Sequence, residues 1–473
     1  MARRFQEKAK ILEGRHRQGQ SSNIKTTSRL LQPYQSFRMD VVQIQLDGNA
    51  DAAEFCPDYP FQHILAAATY TLEEGAQHRV GSISLFSIQD KMHLKLLQRI
   101  KTSGVFDIKW RPGKGNTQSN LLQADSDGNL TVYSLEHPEI VSEDKVQEDE
   151  VVIKELVSVN ISCSSMCLTV DWDQANLGLS SNIAVGLSEG LVSVVRLGEA
   201  QMQTDHTWQA HGFEVWSVSY DSCRPDVLYS GADDCNFCGW DLRESTDHPV
   251  FRNTKSHRMG VCSIQKSQQW ENSIITGSYD ECLRLWDLRL MERPVMQESI
   301  GLGGGVWKLK FHPSIGNLVL AACMHNGFAV VRLTNDGMKI VDEYKGHDSL
   351  AYGADWFKGD LSKKDRCGIC VPEIRRGMNG LGQEEHLQHG GDSKFSNTKR
   401  SSITSGQCDD QSIALNECTI GENSNWPSNV DSAHQRTIQS LVATCSFYDK
   451  ALHIWKPKIP MSDASCVSVY SPI

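Results

Sequence analysis

The chain repeats itself between Ala210 and Arg289. AHGFEVWSVSY (210–220) followed by DVLYSGADDCNFCGWDLR (226–243) is matched by SHRMGVCSIQ (256–265) followed by NSIITGSYDECLRLWDLR (272–289). In each copy a His opens the unit, a short alternating run follows, and a small-residue run leads into a tight turn ending in Asp. Trp-Asp arrives six residues after that Asp. Strict alternation over so few positions is the period of a β-strand. A unit repeated in this way cannot bury its apolar face alone and has to stack against its neighbours.

This grammar is the WD-repeat signature, in which each unit of roughly 40 to 50 residues builds one four-stranded blade of a β-propeller. The spacing has a physical reason. His257 falls on the loop entering the innermost strand, Thr276 on the next strand, Asp280 in the hairpin turn and Trp286 on the third strand; His211, Ser230, Asp234 and Trp240 fall on the same places. Each set can form a buried relay of hydrogen bonds, and buried polar groups need such partners because leaving one unsatisfied costs a few kcal/mol. These eight residues therefore read as structural tetrads that staple blades, not as chemistry.

Seven such units can be counted, predicting an all-β, seven-bladed propeller spanning more than 300 of the 473 residues. The 36 glycines and 39% hydrophobic content suit many short strands with tight turns, and no apolar run approaches the 18 or so residues of a membrane span. Cys163, Cys167, Cys262, Cys323 and Cys445 lie in strand-like runs with no secretory leader ahead of them. Reduced thiols in a cytoplasmic, monomeric protein are expected. A net charge of −11 argues against a nucleic-acid surface and permits a cationic ligand or partner.

Residues 1–38 are basic, Ser-containing and aperiodic, and read as a disordered extension; a transit peptide has a similar composition, and Met39 is an alternative start. VVQIQL, from Val41, alternates like a strand and can complete the last blade, closing the ring. Blades one to six and the start of blade seven occupy 39–357. A polar, low-complexity insert at 358–437 interrupts blade seven, which resumes over 438–457 ahead of a tail at 458–473. The insert is too long and polar to pack and is expected to be disordered. The charged segment Ser142–Glu150 reads as a shorter solvated loop.

Other motifs are weaker. Gly186-Leu187-Ser188-Glu189-Gly190 matches a nucleophile elbow, but an elbow needs a strand-to-helix turn and these residues join two strands of blade three. Cys367 and Cys370 with His386 and His389 resemble a zinc knuckle only in passing, Cys235 and Cys238 read as packing residues, and neither metal nor other cofactor is expected. Aligning hairpins on Asp280 gives a ring at the channel mouth formed by Ser126, Ser188, Asp233, Tyr279, His325 and Tyr448. Glu214, Met259, Tyr352 and Asp355 fall near the starts of innermost strands, close to the same mouth, where acids and aromatics can hold a cation. The two WDLR strings (240–243 and 286–289) also match the WDxR pattern of propellers that dock on the adaptor of cullin-RING ubiquitin ligases.

Several strings go beyond WD grammar: HRMGVCSIQ (257–265), GSYDE (277–281), GGGVWKLKFHP (303–313), AACMHNGF (321–328), YGADW (352–356) and ATCSFYDKALHIW (443–455). In these the chain resembles the diphthine methyl ester hydrolase family of the diphthamide pathway, also called diphthine methyltransferase homologues. The likeness runs from about Met39 to Pro457 and is strongest from blade four onward. It implies hydrolysis of the methyl ester of methylated diphthine on a histidine of elongation factor 2, giving diphthine and methanol, before an ATP-dependent amidation. That substrate carries a trimethylammonium group, which an acidic, aromatic mouth would suit.

The family supplies no catalytic motif, so roles rest on register. His325 is the candidate base, Cys262 or Ser188 the nucleophile, and Tyr279 or Tyr448 an oxyanion or orienting group, with Glu214, Met259 and Tyr352 binding substrate. Cys262 also reads as a core residue. A histidine with an acidic partner such as Asp233 would activate water without a covalent intermediate. The alternative function is a non-catalytic adaptor, such as a ubiquitin-ligase substrate receptor.

Overall fold

Runs of three to ten residues, separated by turns, pair into seven four-stranded antiparallel sheets. The computed structural model describes residues 41–73, 78–89, 92–111, 119–136, 151–174, 181–199, 201–359, 361 and 437–461. The innermost strands are Ala50–Phe55, Val105–Trp110, Cys167–Trp172, Val215–Tyr220, Val261–Lys266, Lys308–Phe311 and Ala351–Trp356, for blades one to seven in order. In the last sheet Ala351–Trp356 pairs with Val442–Ser446, that with Ala451–Trp455, and the outer place is taken by Val41–Gln45. The ring is thus closed by a strand from the far end of the sequence, which pairs the edge that blade seven would otherwise leave open.

Apolar side chains fill the wedges between blades. One cluster joins Leu122, Ala124 and Val132 of blade two to Val170, Trp172, Ile183 and Val195 of blade three. Trp172, Trp240, Trp286, Trp356 and Trp455 are among the largest fully buried side chains. Side chains of this size bury roughly 150–250 Å² each, so they dominate the energetics of the wedges.

A second set of bonds runs round the channel. The innermost strand of a blade has backbone N–H groups with no strand on the channel side, and buried donors of this kind must find acceptors. Here the acceptor comes from the neighbouring blade. Glu54 accepts from Trp110 N (2.8 Å), Asp107 from Val170 N (3.2 Å), Asp171 from Tyr220 N (2.8 Å), Ser217 from Ile264 N (2.9 Å), Ser263 from Leu309 N (3.0 Å), and Asp355 from Phe55 N (2.9 Å) across the seam. Between blades six and seven the link is Trp356 Nε1 to Lys310 O (2.9 Å). Lysines neutralise the buried acids: Lys310 bonds Glu54 (2.7 Å), Lys308 bonds Asp107 (2.8 Å) and Lys358 bonds Asp355 (2.9 Å).

The relays differ from blade to blade. In blade four His211 Nδ1 lies 3.1 Å from both Asp234 oxygens, His211 Nε2 lies 2.8 Å from Ser230 Oγ, and Trp240 Nε1 donates to the same Oγ (2.8 Å). Blade five keeps His257 to Thr276 (2.9 Å) and Trp286 to Thr276 (2.9 Å), but Asp280 receives Arg284 Nη1 and Nη2 (2.9 and 2.7 Å) and the Arg258 N–H. His257 Nδ1 is left buried without a hydrogen-bond partner among the described residues. Blade seven holds a third relay. His347 Nε2 meets Thr444 Oγ1 (3.0 Å), Trp455 Nε1 donates to Thr444 Oγ1 (3.1 Å), and Ser446 bridges His347 Nδ1 to Asp449.

No helix among the described residues is long and apolar enough to cross a membrane, and no group of three or more His, Cys, Asp or Glu among them could hold a metal ion. The N-terminal extension, nearly all of the insert with Cys367, Cys370, His386 and His389, the Ser142–Glu150 loop and nearly all of the C-terminal tail lie outside the described residues.

Candidate active site at the channel mouth

Two rings of residues define one mouth of the channel. The outer ring is fixed by a backbone bond repeated from blade to blade, in which the residue entering the hairpin between strands two and three donates to the residue just before the innermost strand. The bonds are Tyr70 N to Asn49 O (2.9 Å), Ser126 N to Gly104 O (2.8 Å), Ser188 N to Met166 O (3.0 Å), Asp233 N to Glu214 O (2.9 Å), Tyr279 N to Gly260 O (3.0 Å) and Phe447 N to Leu350 O (3.0 Å). In blade six the turn carries Met324 and His325. The ring therefore contains Tyr70, which sequence alignment missed, and Phe447 in place of Tyr448. The hairpin of blade seven is one residue longer between Thr444 and Asp449 than that of blade five between Thr276 and Asp280, so counting back from the Asp lands one residue late. Tyr448 is 55% exposed, its ring 4.9 Å from that of Phe447.

The inner ring is made by β-bulges. In six blades the register slips by one residue near the start of the innermost strand, between Ala50 and Ala52, Val105 and Asp107, Cys167 and Thr169, Val215 and Ser217, Val261 and Ser263, and Ala351 and Ala354. A bulge re-aims the side chain of the extra residue and is common beside active sites. The residues in these slips are Asp51, Phe106, Leu168, Trp216, Cys262 and, in blade seven, Tyr352 with Gly353; Trp307 precedes the corresponding strand of blade six.

Between them the two rings bring a run of aromatic faces together. Ring centroids lie 4.7 Å apart for Phe106 and Tyr70, 4.9 Å for Tyr70 and Phe447, 5.1 Å for Phe447 and Tyr352, 4.7 Å for Tyr352 and Trp307, and 5.8 Å for Trp307 and Tyr279. Trp216 of blade four meets Trp307 of blade six at 5.4 Å, past blade five, so these two rings reach across the channel. The mouth is lopsided. Blades five, six, seven, one and two supply the aromatic arc, joined by Trp216 of blade four, whereas the hairpins of blades two, three and four supply Ser126, Ser188 and Asp233.

The individual side chains are placed as follows. Ser188 is half-buried; its Oγ accepts from Met166 N (2.9 Å) and lies 3.0 Å from Ser165 Oγ. It occupies the strand-to-strand hairpin that ends at Gly190, whose φ of +86° and close approach to His211 O require glycine. Cys262 is buried and its thiol donates to Gly260 O (3.4 Å); burial first, and the charge of Asp233 second, push it well above the ordinary thiol range. Burial likewise raises Tyr279 and Tyr352. Asp233 Oδ1 packs against Gly260, where an added Cβ would sit 2.7 Å from it. His325 is exposed in its turn, and Glu214 and Met259 are half-buried beside the outer ring. Asp355 does not reach the mouth: it is fully buried near the far end of its strand, where it joins blades seven and one.

Asp51 is the residue that sequence reasoning passed over. It is 5% exposed, and its Oδ1 has no hydrogen-bond partner among the described residues. Burial raises its carboxyl well above the ordinary range, against an opposing pull from Lys308 and with a further push from Asp107. A recurring Val-x-Asp/Ser pattern at Val105-Phe106-Asp107, Val215-Trp216-Ser217 and Val261-Cys262-Ser263 was the available signal for the inner ring.

Fold and mouth together define a seven-bladed WD-repeat propeller with an aromatic and polar channel entrance. No protein-family model matches the sequence. The diphthine methyltransferase of Homo sapiens is 30% identical over 89% of this chain and 98% of its own length, and the diphthine methyltransferase homolog of Dictyostelium discoideum is 29% identical over 69% and 94%. The chain belongs to the diphthine methyltransferase family, and with it to the enzymes of diphthamide biosynthesis. Among solved structures, Sqt1 from Chaetomium thermophilum superposes with a TM-score of 0.50 at 16% identity, covering 67% of this chain and 76% of that one, a likeness of fold alone.

Proposed function

We propose that the chain hydrolyses the methyl ester of methylated diphthine on elongation factor 2, with water cleaving the acyl–oxygen bond to leave the diphthine carboxylate and methanol. The observation that carries this reading is the lopsided mouth, with an aromatic arc facing a polar arc of Ser126, Ser188 and Asp233. Such a mouth suits a substrate with an alkylated cation at one end and an ester at the other. Attack by water fits better than attack by the protein. Ser188 Oγ is engaged by a backbone N–H and by Ser165, and Cys262 is held as a thiol by burial. In this reading Asp233 and His325 form the acid–base set, and Tyr279 orients the ester.

The test is mass spectrometry of the modified peptide after incubation of elongation factor 2 bearing methylated diphthine with the full chain. Loss of one methylene with release of methanol is expected, and Asp233→Asn is expected to slow it by about 10²–10⁴. Gain of a methyl group on unesterified diphthine would replace hydrolysis by transfer.

A second reading is an adaptor role at the opposite end of the blades. Arg243 and Arg289 have side chains 68% and 71% exposed, each bonded to the Asp of its own WD pair. Substituting both should abolish ligase-adaptor capture in a pull-down while sparing hydrolysis.

A further inference from the structure

We infer that the backbone N–H groups of Gly304 and Gly305 form the oxyanion site of the proposed hydrolysis, the reading on which this inference rests. Ester cleavage by water needs such donors. Water adds to the carbonyl carbon and yields a proton to the acid–base set, and the carbonyl π electrons move onto oxygen. That oxygen carries the charge until the C–OCH3 bond breaks and the leaving group takes a proton to depart as methanol. Donors held ready for the developing charge make one of the largest contributions to a step of this kind. Other donors at the mouth are already engaged: the Ser126 hydroxyl by Arg79 O and Asp127, the Cys262 thiol by Gly260 O, and the Lys308 ammonium by Asp107.

The glycine run entering blade six is different. Leu302 N donates to Glu281 O (2.8 Å), Val306 N to Ser278 O (2.9 Å) and Trp307 N to Ala322 O (2.9 Å), so both ends of the loop are tied to neighbouring turns. Asn326 Nδ2 donates to Leu302 O (2.7 Å) and pins the loop again. Between these bonds Gly304 N and Gly305 N have no hydrogen-bond acceptor among the described residues, although both residues are buried. Buried N–H groups without acceptors are rare and call for a reason. Gly303 before them is left-handed (φ 74°), the conformation from which anion-binding runs of successive amides are built. Amides of glycine-rich loops also make the oxyanion holes of lipases and esterases.

The loop lies where the acid–base set converges. A Cβ added at Gly305 would sit 3.3 Å from one edge of the Tyr279 ring; one added at Gly260 would sit 3.2 Å from the other edge and 2.7 Å from Asp233 Oδ1. Tyr279 is therefore flanked by Gly305 on one side and by Gly260 with Asp233 on the other. The same Gly305 position is 2.7 Å from Met324 Sδ, in the turn that carries His325. Gly303 and His325 are exposed, so the rim of the loop meets solvent.

The experiment is nuclear magnetic resonance of the full chain, isotope-labelled at the glycine carbonyl carbon and the glycine amide nitrogen. Only an amide preceded by glycine then reports, and the sequence holds three: Gly304, Gly305 and Gly391. Gly391→Ala leaves the two in question. The titrant is the modified-histidine peptide with its methyl ester replaced by a methyl phosphonate, a stable tetrahedral anion. Both amide protons are expected to move downfield as it binds, with a Ki at least about 100-fold below the KM of the ester. The same peptide with unmodified histidine should move neither. Phosphonate binding that leaves both signals in place would overturn the inference, as would equal movement with the unmodified peptide. If the full chain cleaves the ester while the two amides stay still, the hydrolysis stands and the oxyanion site falls. If no ester is cleaved but both amides respond to the phosphonate, the anion site stands and the reaction is misassigned.

Discussion

Blades four and five share one sequence grammar and use it differently. In blade four Asp234 closes the relay on His211; although burial would raise its carboxyl, the His211 hydrogen bonds hold it below the ordinary range. In blade five Asp280 turns to Arg284, and His257 keeps one buried nitrogen without a partner among the described residues. The residue that decides is not in the signature. Cys238 stands opposite Ser230 in blade four and Arg284 opposite Thr276 in blade five, and only the second can outbid a histidine for the carboxylate. A motif match therefore fixes where polar side chains sit before it fixes what they bond.

Removing the acid breaks the comparison most strongly. Asp280→Ala leaves the guanidinium of Arg284, nearly fully buried, without its ion partner, and should cost about 3–5 kcal/mol. Asp234→Ala leaves the His211 relay short of an acceptor and should cost about 1–3 kcal/mol. Urea unfolding of the two variants checks the order; equal losses would mean that Arg284 gains little from Asp280.

Acid sharpens the contrast. Burial, with the Arg284 charge beside it, lowers His257 to about 3, Asp280 opposing only weakly. The folded protein thus refuses a proton that the unfolded chain accepts below about pH 6.5. Stability from this group is complete above that pH and is lost as pH falls toward 3, at about 1.4 kcal/mol per pH unit. Burial lowers His312, His347 and His453 as well, adding slope of the same sign. The measurement is therefore the difference in slope between the wild type and His257→Asn across pH 4.5 to 6.5. Arg284→Cys, which installs the blade-four residue and frees Asp280 for His257, should shrink the slope; an unchanged slope would mean that Arg284 is not what diverts the carboxylate.

The smallest effect concerns the turns. Cys235 (φ 65°) and Glu281 (φ 69°) hold the same left-handed position that Gly128 and Gly190 hold in blades two and three. Cys235→Gly and Glu281→Gly should each stabilise by no more than about 1 kcal/mol, because relief of left-handed strain is partly offset by the entropy glycine loses on folding. Equal small gains would show that the blades differ in their relays and not in their turns.

The same contrast explains what could be read from the sequence. Seven blades were legible because the repeat spacing and strand alternation are local properties. The relay of blade seven was present in His347, Thr444, Asp449 and Trp455 but went unread, since the insert separates its first member from the rest. The hairpin ring was legible except in blade one, where Tyr70 was missed, and in blade seven, where a single extra residue hid Phe447 behind Tyr448. The inner ring was not legible, because a bulge is defined by the pairing of two strands and no single strand announces it. Asp51 looked like any polar residue in an alternating run until its register against Thr69 and Ala68 was known.

The closing strand sets a schedule for biosynthesis. Gln45 and Asp449, hydrogen-bonded at the seam, are 404 positions apart in the chain. At about 5–20 residues per second, a ribosome takes about 20–80 s to make the second after the first. Through that interval Val41–Gln45 is a nascent strand whose partner does not yet exist, and unpaired strands invite other chains. The ring therefore depends, while it is being made, on keeping its first strand unengaged until its last blade emerges.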